Sequence, residues 1–187
     1  MNFERSVIEG GWIIKNTRHK DNRGWFSEWF KKSTFESELG ISFNPLQLNI
    51  SHSLQGVIRG IHYSIAEKGQ AKFVTVMSGE VDDYIIDIRP GSPTFGKWQR
   101  VRLSSKDGES VLLGSNLAHA FQCVSVEATV CYAVTAEFDS EMEKGINPFD
   151  PTLNIAWNDV SENLMSSKDI AAPFLEEQIV QDLLPRF

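Results

Sequence analysis

From residue 46 to residue 138 the chain is written in short runs of apolar and polar positions, with Gly and Pro between them. The stretch "LQLNISHS" (46–53) alternates one for one, the period of a half-buried strand. "AKFVTVMSGEVDDYIIDIRPGSPTFGKWQRVRLS" (71–104) holds three more strands, cut at Ser78-Gly79, Pro90-Gly91 and Thr94-Phe95-Gly96. "ESVLL", "AHAFQCV" and "ATVCYAVTAEF" continue the series. Short strands at regular spacing with Gly/Pro turns predict an all-β antiparallel sandwich or barrel rather than a parallel sheet. Helical text is scarce. "STFESELGI" (33–41) predicts a short helix with Ser33 or Thr34 as N-cap and Gly40 as its stop. A second short helix is expected around "PFLEEQIVQDLL". Upstream, "GGWIIKNTRHKDNRGWFSEWF" predicts two extended segments around a turn at Asp21-Asn22-Arg23-Gly24.

A length of 187 residues suits one domain over 1–187. Within it we expect N-terminal strands and an arm over 1–45, a β core over 46–140, and loops with a short helix over 141–187. Hydrophobic residues make up 41% and charged residues 23%, an ordinary soluble composition. The formal net charge of -7 argues against a nucleic-acid surface, which needs a basic face. It leaves room for an anionic small molecule in a locally basic pocket. Cys123 and Cys131 lack CxxC spacing and read as buried free thiols of a reducing compartment. The start of the chain has no basic-then-apolar leader pattern, and no apolar run approaches about 20 residues. A cytoplasmic setting without membrane contact is the expectation.

Candidate chemistry gathers in "RGIHYSIAEKGQAKFVTV" (59–76), where Arg59, His62 and Lys72 sit on otherwise strand-like text. Basic groups on half-apolar strands carry a desolvation cost unless an anion meets them. His62 in "RGIHY" and His119 in "LAHAF" also fall where a cupin-type signature places histidines. Its H-x-H pair is here His62-Tyr63-Ser64, so a metal set of three or four converging ligands is incomplete. The histidines are then available for acid–base work. Tyr132, among small and apolar neighbours in "ATVCYAVTAEF", is either a core tyrosine bonded to a carbonyl or a proton donor. A base and an acid on opposite sides of one cavity suit removing a proton from one face of a carbon and returning it on the other. That is epimerisation. An imidazole base needs its second nitrogen held, and "SSKD" offers Asp169 with Lys168, although nothing in the chain order places them beside His62.

Taken in order and spacing, "DNRGWFSEWF", "LQLNISHS", "GVIRGIHY", "GQAKFVTVMSGEVDDYIIDIRPGSPTFGKW", "LAHAF", "CYAVTAEFDSEMEKGI", "DPTLNIAW" and "SSKDIAAPFL" resemble the dTDP-4-dehydrorhamnose 3,5-epimerase family. The resemblance runs from about residue 3 to about residue 177. It implies a cupin-like jelly roll, no cofactor and no metal, and a dTDP-4-keto-6-deoxyhexose substrate. It implies His62 as general base, Asp169 as the carboxylate orienting it, and Tyr132 as acid. Lys72 and His119 would line the sugar site, and Arg23 and Arg59 would meet the diphosphate. Gln47, Asn49, Glu143 and Lys168 match further polar contacts. Phe138 matches the position that stacks on thymine. Phe26 and Glu28 match positions that reach the nucleotide of a neighbouring subunit in a homodimer whose N-terminal strands cross over.

The sequence departs from the family pattern at three places. Phe138 stands for the usual tyrosine, Leu48 for an acidic residue, and Gly114-Ser115-Asn116-Leu117 for the loop ahead of His119. These changes are expected to reshape the pocket walls. They leave open whether C3, C5 or both are inverted, with double inversion preferred. Rival readings are a mono-epimerase or ketoisomerase on the same scaffold, a metal-dependent cupin oxygenase, and a non-catalytic sugar-binding jelly roll. The aromatic N-terminal segment (Trp12, Trp25, Phe26, Trp29, Phe30) is more apolar surface than a small sheet exposes, which independently predicts burial against a second subunit.

Overall fold

The computed structural model describes residues 1–158 and 164–187. Its elements are β1 (Asn2–Arg5), β2 (Gly11–Lys15), β3 (His19–Asp21), β4 (Gly24–Phe26), α1 (Lys32–Leu39), β5 (Gln47–Leu54), β6 (Ile58–Ser64), β7 (Lys72–Ser78), β8 (Glu80–Ile86), β9 (Trp98–Ser104), β10 (Glu109–Leu113), β11 (Ala118–Cys123), β12 (Glu127–Val134), β13 (Glu143–Gly145), α2 (Ser167–Ile170) and α3 (Leu175–Val180). A six-stranded sheet, β1-β2-β10-β7-β12-β5, faces a five-stranded sheet, β13-β6-β11-β8-β9. A hairpin of β3 and β4 stands apart. The pairings are antiparallel, and the expected jelly-roll sandwich is what forms.

Apolar side chains fill the space between the sheets at one end. Val74, Val76, Val130 and Val111 from the larger sheet meet Val81, Ile85, Leu103 and Phe121 from the smaller. The alternation of β5 runs opposite to that of an ordinary half-buried strand. Its polar residues Gln47, Asn49 and Ser51 are turned inward, while Leu48, Ile50 and Leu54 are 58–73% exposed on the outer face. An inward polar row at the sheet's edge means that this end of the sandwich encloses something other than hydrocarbon.

The N-terminal aromatics divide. Trp29 stacks on Phe73 at 5.1 Å, and Phe30 packs edge-on against Phe35 at 4.9 Å. Together with Phe43 they close over the outer face of the larger sheet, while Trp12 lies under Arg5. Of the five aromatics that sequence reading assigned to a subunit interface, Trp25 and Phe26 are the exposed ones. The other three are occupied within their own chain. The same packing moves the helix cap. The N-cap of α1 is Lys31, without a side-chain bond, not Ser33 or Thr34. Phe30 before the cap and Phe35 in the first turn form a hydrophobic staple that sets the entry. Gly40 ends α1 as expected, in the left-handed conformation.

Candidate active site

At the open end of the sandwich both sheets line one cavity of about 420 Å³, a size that suits a small organic ligand. The larger sheet contributes neighbouring rungs. Asn49 pairs with Tyr132 and Gln47 with Val134 across β5 and β12, and Val134 pairs with Lys72 across β12 and β7. Because side chains alternate along strands, these residues share the inner face. The smaller sheet contributes His62 opposite His119, and Arg59 opposite Phe121. The β6–β11 register shifts between His119 and Phe121. Gly60 lies at that shift with φ of 122°, and a Cβ there would stand 2.5 Å from the Ala120 Cβ, so no other residue fits.

His62 Nε2 lies 2.7 Å from Asp169 Oδ1. Asp169 arrives on α2, whose N-cap Ser166 accepts a hydrogen bond from the Asp169 backbone N–H through its side chain. Burial pushes the Asp169 carboxyl upward, but hydrogen bonding and charge from His62, with Ser166 and the Gly60 N–H, hold it below the usual range. It is therefore a carboxylate that keeps the proton on Nε2 and leaves Nδ1 to accept one. Tyr132 faces it from the other sheet, and among the described residues its hydroxyl has no hydrogen-bond partner. The alternative of a core tyrosine bonded to a carbonyl does not match that geometry. Burial, the largest influence, raises the Tyr132 pKa; Arg59 lowers it and Glu143 raises it. The phenol thus stays protonated.

Lys72, 6% exposed, donates to Gln70 Oε1 at 2.7 Å. Burial lowers its pKa and the Glu143 carboxylate opposes that. His119 Nε2 is 2.7 Å from Asp83 Oδ2. Gln47 Nε2 donates to Asn49 Oδ1 at 2.7 Å, and Gln47 Oε1 accepts the Phe138 N–H at 2.8 Å. That chain of bonds holds the exposed Phe138 ring at the cavity mouth. Arg59 is braced at the rim by Ser53 Oγ at 3.0 Å and the His52 carbonyl at 2.9 Å. Glu143 and the exposed Lys168 complete the wall.

Eleven of the fourteen expected site residues thus line one cavity. Arg23, Phe26 and Glu28 do not. They lie on or just after the β3–β4 hairpin, where Arg23 pairs with Asp21 at 2.6 Å and Glu28 approaches Lys31 at 3.9 Å. Of the three departures from the family pattern, Phe138 reaches the cavity. Leu48 points outward, and the 114–117 loop lies behind the wall, its Ser115 carbonyl accepting the Gln70 N–H at 3.0 Å. The expected reshaping of the walls therefore narrows to Phe138. Sequence reading missed Ser51, Gln70, Phe121, Val134, Lys144, Ser166 and Asp83. Counting by two from Asn49 and from His119 would have found Ser51 and Phe121. Gln70 and Asp83 carried no such signal. Among the described residues no group of three or more His, Cys, Asp or Glu is arranged to hold a metal ion.

A jelly roll whose open end presents ionisable side chains from both sheets has the build of a cupin-like isomerase. The chain belongs to the dTDP-4-dehydrorhamnose 3,5-epimerase family, whose profile matches residues 5–177. It is 40% identical over 182 residues to the dTDP-4-dehydrorhamnose 3,5-epimerase of Mycobacterium tuberculosis, covering 96% of this chain and 90% of that one. A crystal structure of the Legionella pneumophila dTDP-6-deoxy-D-glucose-3,5-epimerase in complex with dTDP-4-keto-L-rhamnose superposes with a TM-score of 0.92 at 38% identity, covering 100% of this chain and 98% of the other. A 3'-monoepimerase from Streptomyces bikiniensis in complex with dTDP-quinovose gives a TM-score of 0.92 at 37% identity, covering 97% and 91%. The protein is accordingly an epimerase, an isomerase of the class that acts on sugar nucleotides. No helix among the described residues is long and apolar enough to cross a membrane.

Proposed function

We propose that this enzyme inverts both C3 and C5 of a dTDP-4-keto-6-deoxyhexose in deoxysugar biosynthesis. The observation that carries the reading is the placement of His62, held by Asp169, and Tyr132, its hydroxyl without a partner among the described residues, on opposite walls of one cavity. C3 and C5 both flank the C4 carbonyl, so the substrate itself acidifies their hydrogens. His62 Nδ1 takes the proton, the electron pair moves onto the C4 oxygen as an enolate, and Tyr132 returns a proton to the far face. Lys72 meets the enolate oxygen, and a preorganised donor of this kind is worth roughly 3–4 kcal/mol in the barrier. Arg59 takes the diphosphate, Phe138 the thymine ring, and Gln47, Asn49, His119, Glu143 and Lys168 position the sugar nucleotide. No cofactor or metal enters these steps.

The working form is a homodimer. The outer face of the larger sheet leaves Leu48, Ile50, Leu54 and Met77 exposed, a patch that suits burial against a second copy. The β3–β4 hairpin, with Trp25 and Phe26 exposed, would carry Arg23, Phe26 and Glu28 to the partner's cavity. The buried thiols of Cys123 and Cys131 suit a cytoplasmic setting.

The deciding experiment follows solvent deuterium into dTDP-4-keto-6-deoxyglucose by mass spectrometry and NMR. Label at C3 and C5 with inversion at both is expected. Label at one carbon would make this a mono-epimerase, and no label would overturn the epimerisation altogether.

A further inference from the structure

The ammonium of Lys72 ends a side chain with four rotatable bonds, yet the reaction needs it at one place. What holds it is Gln70. Gln70 lies two residues ahead of Lys72, the first residue of β7, and both side chains reach the same cavity. Gln70 is 4% exposed and tied at both ends: its backbone N–H bonds to the Ser115 carbonyl at 3.0 Å, and its Nε2 donates to the Ala136 carbonyl at 3.1 Å. A carbonyl can only accept and an ammonium can only donate, so the amide has one orientation, with Oε1 toward Lys72. The next residue is fixed as well, Ala71 N–H donating to Thr135 Oγ1 at 2.9 Å.

We infer that Gln70 is a positioning residue of the epimerisation: its fixed amide aims the Lys72 ammonium at the substrate's C4 oxygen and, being neutral, adds no further counter-charge to it before the enolate forms. The inference rests on the role of Lys72 proposed above. A glutamate at 70 would also accept from Lys72, but it would set an anion against the ammonium and an acceptor against the Ala136 carbonyl. It would spend on the ground state the attraction that belongs to the transition state. Glu143 already supplies one carboxylate to this charge balance. The other ionisable groups around the cavity are Arg59 and His62 on β6, His119 on β11, Tyr132 on β12, Lys144 on β13, and Lys168 with Asp169 on α2. None of them is the partner of the Gln70 amide.

The test is a kinetic cycle on the full-length enzyme with Gln70→Met, Gln70→Glu, Lys72→Met and the Gln70→Met/Lys72→Met pair. Gln70→Met should lower kcat about 10- to 100-fold, the scale of a misplaced group, with KM little changed. It should move the alkaline limb of kcat to lower pH, because the ammonium loses an acceptor. Gln70→Glu should move that limb to higher pH by about one unit or more. In the Lys72→Met background, Gln70→Met should cost nothing further. Unmoved alkaline limbs, or full additivity in the double variant, overturn the role of Gln70 while leaving that of Lys72 intact. Near-parental turnover by folded Lys72→Met overturns both. dTDP binding by calorimetry establishes that each variant is folded; if Gln70→Met is not, the direction of the limb in Gln70→Glu decides alone.

Discussion

The cavity contains two histidine–carboxylate pairs side by side. His62 and His119 are cross-strand partners on β6 and β11, and each bonds a carboxylate through Nε2 at 2.7 Å. The pairs differ in where the carboxylate comes from and in what the imidazole can reach. Asp83 sits on β8, the next strand of the same sheet, is fully buried, and has Oδ1 without a partner among the described residues; the His119 side chain is 11% exposed. Asp169 comes from the C-terminal segment on a four-residue helix, and the His62 side chain is 39% exposed toward the cavity. One pair is part of the sheet, and burial fixes it. The other is assembled late in the chain and keeps a ring nitrogen open to a ligand. Burial provides orientation and access provides turnover, so identical distances do not mean identical roles.

The sharpest way to break this comparison is to remove each imidazole in turn. His62→Asn should lower kcat roughly 10²–10⁴-fold, the usual weight of a positioned base, and His119→Asn far less. Equal losses in the deuterium-exchange assay would erase the distinction. Tyr132→Phe comes next. Inverted product should fall about 10²-fold or more while His62 still exchanges the substrate's hydrogen for solvent deuterium on its own face. Loss of exchange together with inversion would remove Tyr132 as the far-side acid.

The two carboxylates then separate stability from turnover. Asp169→Asn admits the wrong imidazole tautomer and should cost about 10²-fold or more in kcat. Asp83→Asn should act on the fold, by about 1–3 kcal/mol, or roughly 3–10 °C in Tm. Calorimetric melts alongside initial rates check both, and a reversed pattern would exchange the roles. The smallest effect is in pH. Asp169 has a folded pKa below its unfolded value, so the stability it contributes is present above about pH 4 and is lost as pH falls through the folded pKa. The melting difference between the parent and Asp169→Asn should shrink as pH is lowered from about 5 to about 3, and a constant difference would contradict the tuning of that carboxylate.

Much of this was legible along the chain. The jelly roll follows from strand periodicity with Gly/Pro punctuation, and Gly40 stops α1 where it should. Other features were legible only in part. The alternation of β5 was plain, yet its sense was not: Leu48 and Ile50 face outward because the inner rung there borders a cavity. Trp29 and Phe30 read as interface residues until Phe35, Phe43 and Phe73 gave them a place within the chain.

By itself the sequence determined which strands form, where they break, and which residue types stand ready for proton transfer and anion binding, because those are properties of local pattern and side-chain chemistry. It also carried enough ordered motifs to indicate the family. Tertiary structure alone decided which of those residues meet. The His62–Asp169 bond spans 107 positions, and the bond from His119 to Asp83 spans 36. Such pairings depend on sheet order and on the path of the C-terminal segment. The bond from Gln70 to Lys72 is local, only two residues apart, and was still hidden. Its meaning depends on the Ala136 carbonyl that orients the amide and on the burial that leaves Lys72 almost no other partner.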